Sequence, residues 1–261
     1  MARVIAVTNQ KGGVGKTTTA VNLAACLAAA DLSTLLIDID PQANATSALG
    51  VAVPEGQPTT YEVLTGTATL AETAIAAPLE HLVVSPAAHS LVGAELELVE
   101  VAGRETRLQE AIAPARDGFE FIIVDCPPAL GLLTLNALVA SDSVIVPIQC
   151  EYLALEGLSR MMETLARVRA GMNPRLRLEG ILLTMVDPRM NLTRQVTADV
   201  RRHFGEEVFA AEVPRNVRLG EAPSFGKPII LYDLRSAGAQ AYLKLMREVV
   251  RNGTESTRSR A

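Results

Sequence analysis

The feature that most constrains this chain is a lysine- and glycine-rich octapeptide placed between a strand-like run and a helix-forming one. Residues 3–8 read RVIAVT, a short β-rich stretch. Lys11-Gly12-Gly13-Val14-Gly15-Lys16-Thr17-Thr18 follows, and residues 17–30 then run on with Ala, Leu and Asn and no breaker. Three glycines let backbone amides close around an anion. The helix that opens after them aims the positive end of its dipole at the same spot.

The chemistry that fits is phosphate binding. The pattern G-x-x-x-x-G-K-[ST] is met at Gly15-Lys16-Thr17 but fails at its first glycine, where Gln10 stands. Gly12, Gly13, Val14, Gly15 and Thr18 complete the expected cradle. Lys16 is placed to reach β and γ phosphates, and the Thr17 hydroxyl to ligate Mg²⁺. A chance GKT in a glycine turn is the bland alternative. The order of strand, loop and helix sets it aside.

Two acidic positions extend the site. Asp125 ends the strongly apolar run FEFIIVD (119–125), where a carboxylate for the Mg²⁺ shell is expected. Asp38 and Asp40 sit where a second buried run, STLLID (33–38), meets its loop. Asp40 is the candidate for orienting the attacking water, because Pro41 fixes the backbone beside it; Asp38 is read as a support. Thr17, Asp40 and Asp125 are the residues expected around the metal.

Further apolar runs at 81–85, 142–148, 178–186 and 208–213 alternate with helical stretches, including 132–140, 154–170, 192–204 and 238–251. That alternation predicts an α/β fold of the P-loop NTPase class: a mostly parallel, twisted sheet with helices on both faces. Aromatic residues are 3% of the chain and Trp is absent, so a core must be aliphatic, as buried parallel strands require. Residues 1–251 are read as one ATPase domain and 252–261 as a polar, disordered tail.

Several classes are excluded. Cys26, Cys126 and Cys150 form no paired motif, which argues against a disulfide framework and for a reducing cytoplasm. No histidine lies at ligand spacing from a cysteine; His81, His89 and His203 are read as surface or packing residues. No signal peptide and no membrane span is expected. Charge is divided unevenly. Residues 1–159 hold 6 Lys and Arg against 18 Asp and Glu, net −12, and residues 160–261 hold 18 against 11, net +7. The basic part permits a local phosphate-binding face.

The segments KGGVGKTTTAVNLA, DIDPQANATSALG, FIIVDCPPALGLLTLNAL and VPRNVRLGEAPSFGKPI together resemble the ParA family of partition ATPases, most closely its short chromosomal type, Soj. The likeness runs from about Ala2 to about Arg251. It implies a slow ATPase, using ATP and Mg²⁺, that partitions a chromosome or a plasmid. It implies that Lys11 reaches across an ATP-dependent homodimer to the partner's nucleotide, neutralising transition-state charge as an arginine finger does. Gly12 would lie at the close-packed dimer face. Arg189 and Arg218 match the family's DNA-binding arginines, so the ATP dimer is expected to bind double-stranded DNA without sequence preference, on the nucleoid. The adenine is expected near Thr184–Asp187 and Pro214–Val217, with Pro214 and Asn216 as contacts. A ParB-like partner is expected to stimulate hydrolysis. Only ten residues precede Lys11, where larger plasmid-type members carry a DNA-reading extension, so operator-specific repression is not expected.

The rival is a MinD-like membrane-switching ATPase, which needs a C-terminal amphipathic helix. The end RNGTESTRSRA offers no apolar face, so no membrane partner is expected. An iron–sulfur electron carrier would need a second cysteine near Cys126. A metabolic ATP-dependent ligase on the same fold would need a substrate pocket that the sequence does not reveal.

Overall fold

The computed structural model describes residues 1–258. Eight strands form one sheet: β1 (Arg3–Val7), β2 (Thr34–Asp38), β3 (Ile75–Ala76), β4 (Leu82–Ser85), β5 (Phe121–Asp125), β6 (Ser143–Gln149), β7 (Arg177–Val186) and β8 (Val208–Pro214). Their spatial order is β3-β4-β2-β5-β1-β6-β7-β8. Every pairing is parallel except that of β3 with β4. The sequence reading missed β3, since two residues carry no period.

The helices are α1 (Lys16–Ala28), α2 (Asn44–Ala48), α3 (Thr60–Thr65), α4 (Leu70–Thr73), α5 (Leu91–Glu97), α6 (Arg107–Ala115), α7 (Leu132–Ala140), α8 (Ala154–Gly171), α9 (Asn191–Phe204), α10 (Val217–Glu221), α11 (Ile229–Tyr232) and α12 (Ala237–Arg258). α12 continues past residue 251, where the polar tail was expected to begin, and residues 259–261 lie outside the described residues.

Both faces of the sheet are covered, and the strands show why. Side chains alternate across a strand. Val4 and Ala6 of β1, Ile122 and Val124 of β5, and Val144 and Val146 of β6 pack on the side of α5 to α9. Ile5, Val7, Ile123 and Ile145 pack on the other, against α1, α11 and α12. Strands buried on both faces need apolar residues on both, and the central positions of these strands are apolar, the polar residues Arg3, Asp125, Ser143 and Gln149 standing at strand ends. Truncating any of these fully buried isoleucines to Ala costs about 2–5 kcal/mol. Tyr242, Leu245, Met246 and Val249 of α12 belong to this core and present no free apolar face. No helix among the described residues is long and apolar enough to cross a membrane.

Parallel pairing places the carboxyl ends of the central strands together. Val7 and Asp38 both lie in register with Asp125. Next to them, Gln149 of β6 pairs with Thr184, and Val186 of β7 with Pro214. In open α/β sheets this edge is where ligands bind.

Candidate active site

The glycine loop leaves β1 and enters α1 at this edge. Gly15 precedes the helix at φ +88, and Gly13 lies at φ +75, both in the left-handed region that glycine tolerates. No side chain caps the N-terminus of α1, so its first amides stay open to a ligand. Lys16 is buried, and its Nζ donates to the Lys11 carbonyl at 3.0 Å, folding the side chain back over the loop. Burial lowers the Lys16 pKa; Asp125, Cys126 and Asp40 oppose this.

Asp125 faces it from the end of β5. The residue is fully buried, and among the described residues neither carboxylate oxygen has a partner at hydrogen-bond geometry, the Thr17 hydroxyl lying near without meeting it. Burial, and next the charge of Asp38, raise its pKa well above the carboxylate range, against the Thr17 hydroxyl and Lys16. An orphaned buried carboxylate is costly unless something outside the chain completes it. A hydrated Mg²⁺ arriving on phosphates fits that need, because magnesium is held by one or two carboxylates plus substrate oxygens. No cluster of three or more His, Cys, Asp or Glu side chains among the described residues is arranged to hold a metal ion.

Asp38 has a different task. Its carboxylate accepts from Asp40 N (3.1 Å), Thr46 N (2.9 Å) and the Thr46 hydroxyl (2.8 Å). It thereby ties β2 to α2 and shapes the loop that presents Asp40. Burial pushes its pKa up to about 6 despite these donors. Asp40 is buried, and its Oδ1 accepts from Gln42 N at 3.0 Å. Lys16, Thr17, Asp38, Asp40 and Asp125 thus converge.

Lys11 lies apart from that group. Its Nζ pairs with Glu151 at 2.7 Å, and both side chains are about half exposed. Gln10, in place of the missing glycine, donates to the Thr164 hydroxyl on α8 at 3.1 Å. Asn9, which the sequence reading passed over, is buried. It donates to Pro147 O (2.7 Å) and accepts from Lys11 N (3.0 Å), fixing the entry to the loop.

Pro214 and Asn216 line a cavity of about 230 Å³ with Gly15, Thr18, Thr184 and Met185, directly beside the loop. Asn216 also caps α10, its side chain accepting from Arg218 N at 2.8 Å. A larger cavity of about 550 Å³, walled by Leu130, Leu132, Leu135 and Met172, contains none of these residues.

Arg189 and Arg218 leave the same edge on neighbouring connections, three and four residues past Val186 and Pro214. Both are exposed and both are paired. Arg189 holds Asp187 through two bonds of 2.9 and 2.8 Å, keeping that carboxyl down near a pKa of about 2. Arg218 holds Glu221 at 2.8 Å and lies 3.7 Å from Asp233.

Between the Asp40 loop and the Arg218 segment, two backbones cross. Gly50 (φ +65) and Gly226 (φ +61) touch directly. A Cβ on Gly50 would lie 2.8 Å from Gly226 O, and one on Gly226 would lie 2.7 Å from Gly50 Cα.

Comparison with known proteins agrees with this arrangement. Residues 2–178 match the family AAA_31, described as an AAA domain. The sporulation initiation inhibitor protein Soj of Bacillus subtilis is 53% identical over 253 residues, covering 97% of this chain and all of that protein. The chromosome partitioning protein ParA of Myxococcus xanthus is 54% identical over 254 residues, covering 97% of this chain and 90% of that protein. Among solved structures, cobyrinic acid a,c-diamide synthase of Mycobacterium smegmatis, with a bound ATP analogue and magnesium, superimposes with a TM-score of 0.86 at 36% identity, covering 98% of this chain and 97% of that one. That likeness confirms the P-loop NTPase fold. With identity above half across nearly its whole length to Soj and ParA proteins, this chain belongs to the ParA/Soj family of chromosome-partitioning proteins.

Proposed function

We propose that this chain hydrolyses ATP slowly and partitions a chromosome by cycling on and off DNA. The observation that carries the reading is the pairing of an uncapped α1 N-terminus with the orphaned Asp125 carboxylate, donors for phosphate oxygens beside an acceptor suited to their metal. ATP binds with its phosphates on Gly12–Thr18 and its base in the cavity beside Pro214 and Asn216. Thr17, Asp40 and Asp125 would hold Mg²⁺, which would supply charge neutralisation at the phosphates. Lys16 stabilises charge on the transferred group, and Asp40 orients the water. Lys11 leaves Glu151 to act across an ATP-dependent dimer.

The dimer binds double-stranded DNA through Arg189 and Arg218 from both subunits, without reading sequence. A ParB-like partner stimulates hydrolysis and releases it. The protein works in the cytoplasm, on the nucleoid. The relatives named for chromosome partitioning support this reading over a ligase. The test is binding to random-sequence duplex DNA with ATP, a slow analogue or ADP, across a salt series. Tight, salt-sensitive binding in the ATP state alone is expected. No binding in any state, with nucleotide bound, would overturn the DNA reading.

A further inference from the structure

We propose that Thr184 is a positioning residue for the phosphate loop. It stands at the carboxyl end of β7, 2% exposed and in register with Gln149 of β6. Its hydroxyl faces two carbonyl oxygens, Val14 O in the loop at 2.9 Å and Ile148 O at 3.0 Å. A hydroxyl has one proton, so the two acceptors share it.

The bond to Val14 sets the direction of an amide. In a trans peptide the carbonyl of one residue and the N–H of the next lie in one rigid plane and point in opposite directions. Drawing Val14 O toward β7 therefore turns the Gly15 N–H away from β7. That N–H has no partner among the described residues, which leaves it free for a phosphate oxygen. The Thr184 side chain also packs on Gly15, where a Cβ would lie 3.8 Å from its methyl. The next residue, Met185, turns into the left-handed region at φ +52 and lines the adjoining cavity. One hydroxyl thus aligns the loop with the wall that follows it.

The proposal rests on the nucleotide reading of this loop, and the experiment separates the two. ADP binding with Mg²⁺ is measured by calorimetry on the full chain, its Thr184→Val and Thr184→Ser forms, and Lys16→Ala, with melting temperatures taken without nucleotide. Thr184→Val keeps the shape and removes the proton, and is expected to weaken ADP about tenfold, the worth of about one hydrogen bond. Thr184→Ser keeps the proton and is expected to stay within about twofold of the parent. A folded Thr184→Val chain that binds ADP like the parent overturns the proposal. So does one that fails to fold, which would place the hydroxyl in the fold rather than in the loop. Parent and Lys16→Ala chains that bind ADP equally would instead overturn the phosphate reading itself.

Discussion

Asp38 and Asp125 stand side by side in register at the ends of β2 and β5, both fully buried, and each charge disfavours the other. Asp38 is satisfied by three donors, whereas Asp125 meets none at hydrogen-bond geometry among the described residues. That inequality is the ground for proposing support for the first and ligand binding for the second.

A pH-dependent stability follows. An acid whose pKa is higher in the folded than in the unfolded chain holds its proton more tightly when folded, so stability falls as pH rises through that interval. For Asp38 the interval runs from about 3.9 to about 6, and Asp125 shifts in the same direction. Asp125→Asn should therefore melt several degrees above the parent at pH 8 without nucleotide, with the gap closing toward pH 5. With Mg²⁺ and ATP the order should reverse. A melting series in pH reads this, and an Asn form less stable at pH 8 would contradict it.

Lys16→Ala removes the buried ammonium that spans the loop. Hydrolysis should fall at least about 100-fold, as when one preorganised charge is lost, and nucleotide affinity should fall with it. Phosphate release and fluorescent-nucleotide titration measure the two separately.

Lys11→Ala should part those quantities. The side chain is half exposed and bound to Glu151, outside the cluster around Lys16. Monomer affinity for ADP should change little, while turnover falls about 10³-fold or more, the range of a finger residue. Sedimentation with a slow ATP analogue should show the dimer lost. Unchanged turnover would remove Lys11 from the mechanism.

Asp40→Ala should bind ATP with near-parent affinity and lose turnover, because among the described residues its carboxylate anchors Gln42 N alone and no phosphate-loop amide. Parent-like hydrolysis would exclude it as the residue that orients water.

Arg189→Ala and Arg218→Ala should weaken binding to every DNA sequence alike. Each should flatten the slope of log K against log salt by about 0.9 for every phosphate left unneutralised. Each arginine must first give up a carboxylate, Asp187 or Glu221, so exposure alone overstates their readiness. Asp187→Asn should accordingly raise affinity in the same titration.

The strands were legible because parallel strands buried on both faces leave near-continuous apolar runs, and FEFIIVD and LEGILLTMV are such runs. The loop was legible because its chemistry is contiguous. What escaped has no local signature. α10 and α11, of five and four residues, are too short to show a helical period. Asn9 matters through Pro147, Thr184 through Val14, and Glu151 through Lys11, partners 138 to 170 residues away that only the strand order brings together.

The crossing of Gly50 and Gly226 carries one more consequence. Each residue is already the smallest available, so an enlargement at either has no compensating reduction at the other. A suppressor screen started from Gly50→Ala should return changes that shift whole segments, never a change at position 226. Two stretches far apart in the chain thereby meet at a point without slack, and a segment grafted in at either would have to bring a glycine to the crossing.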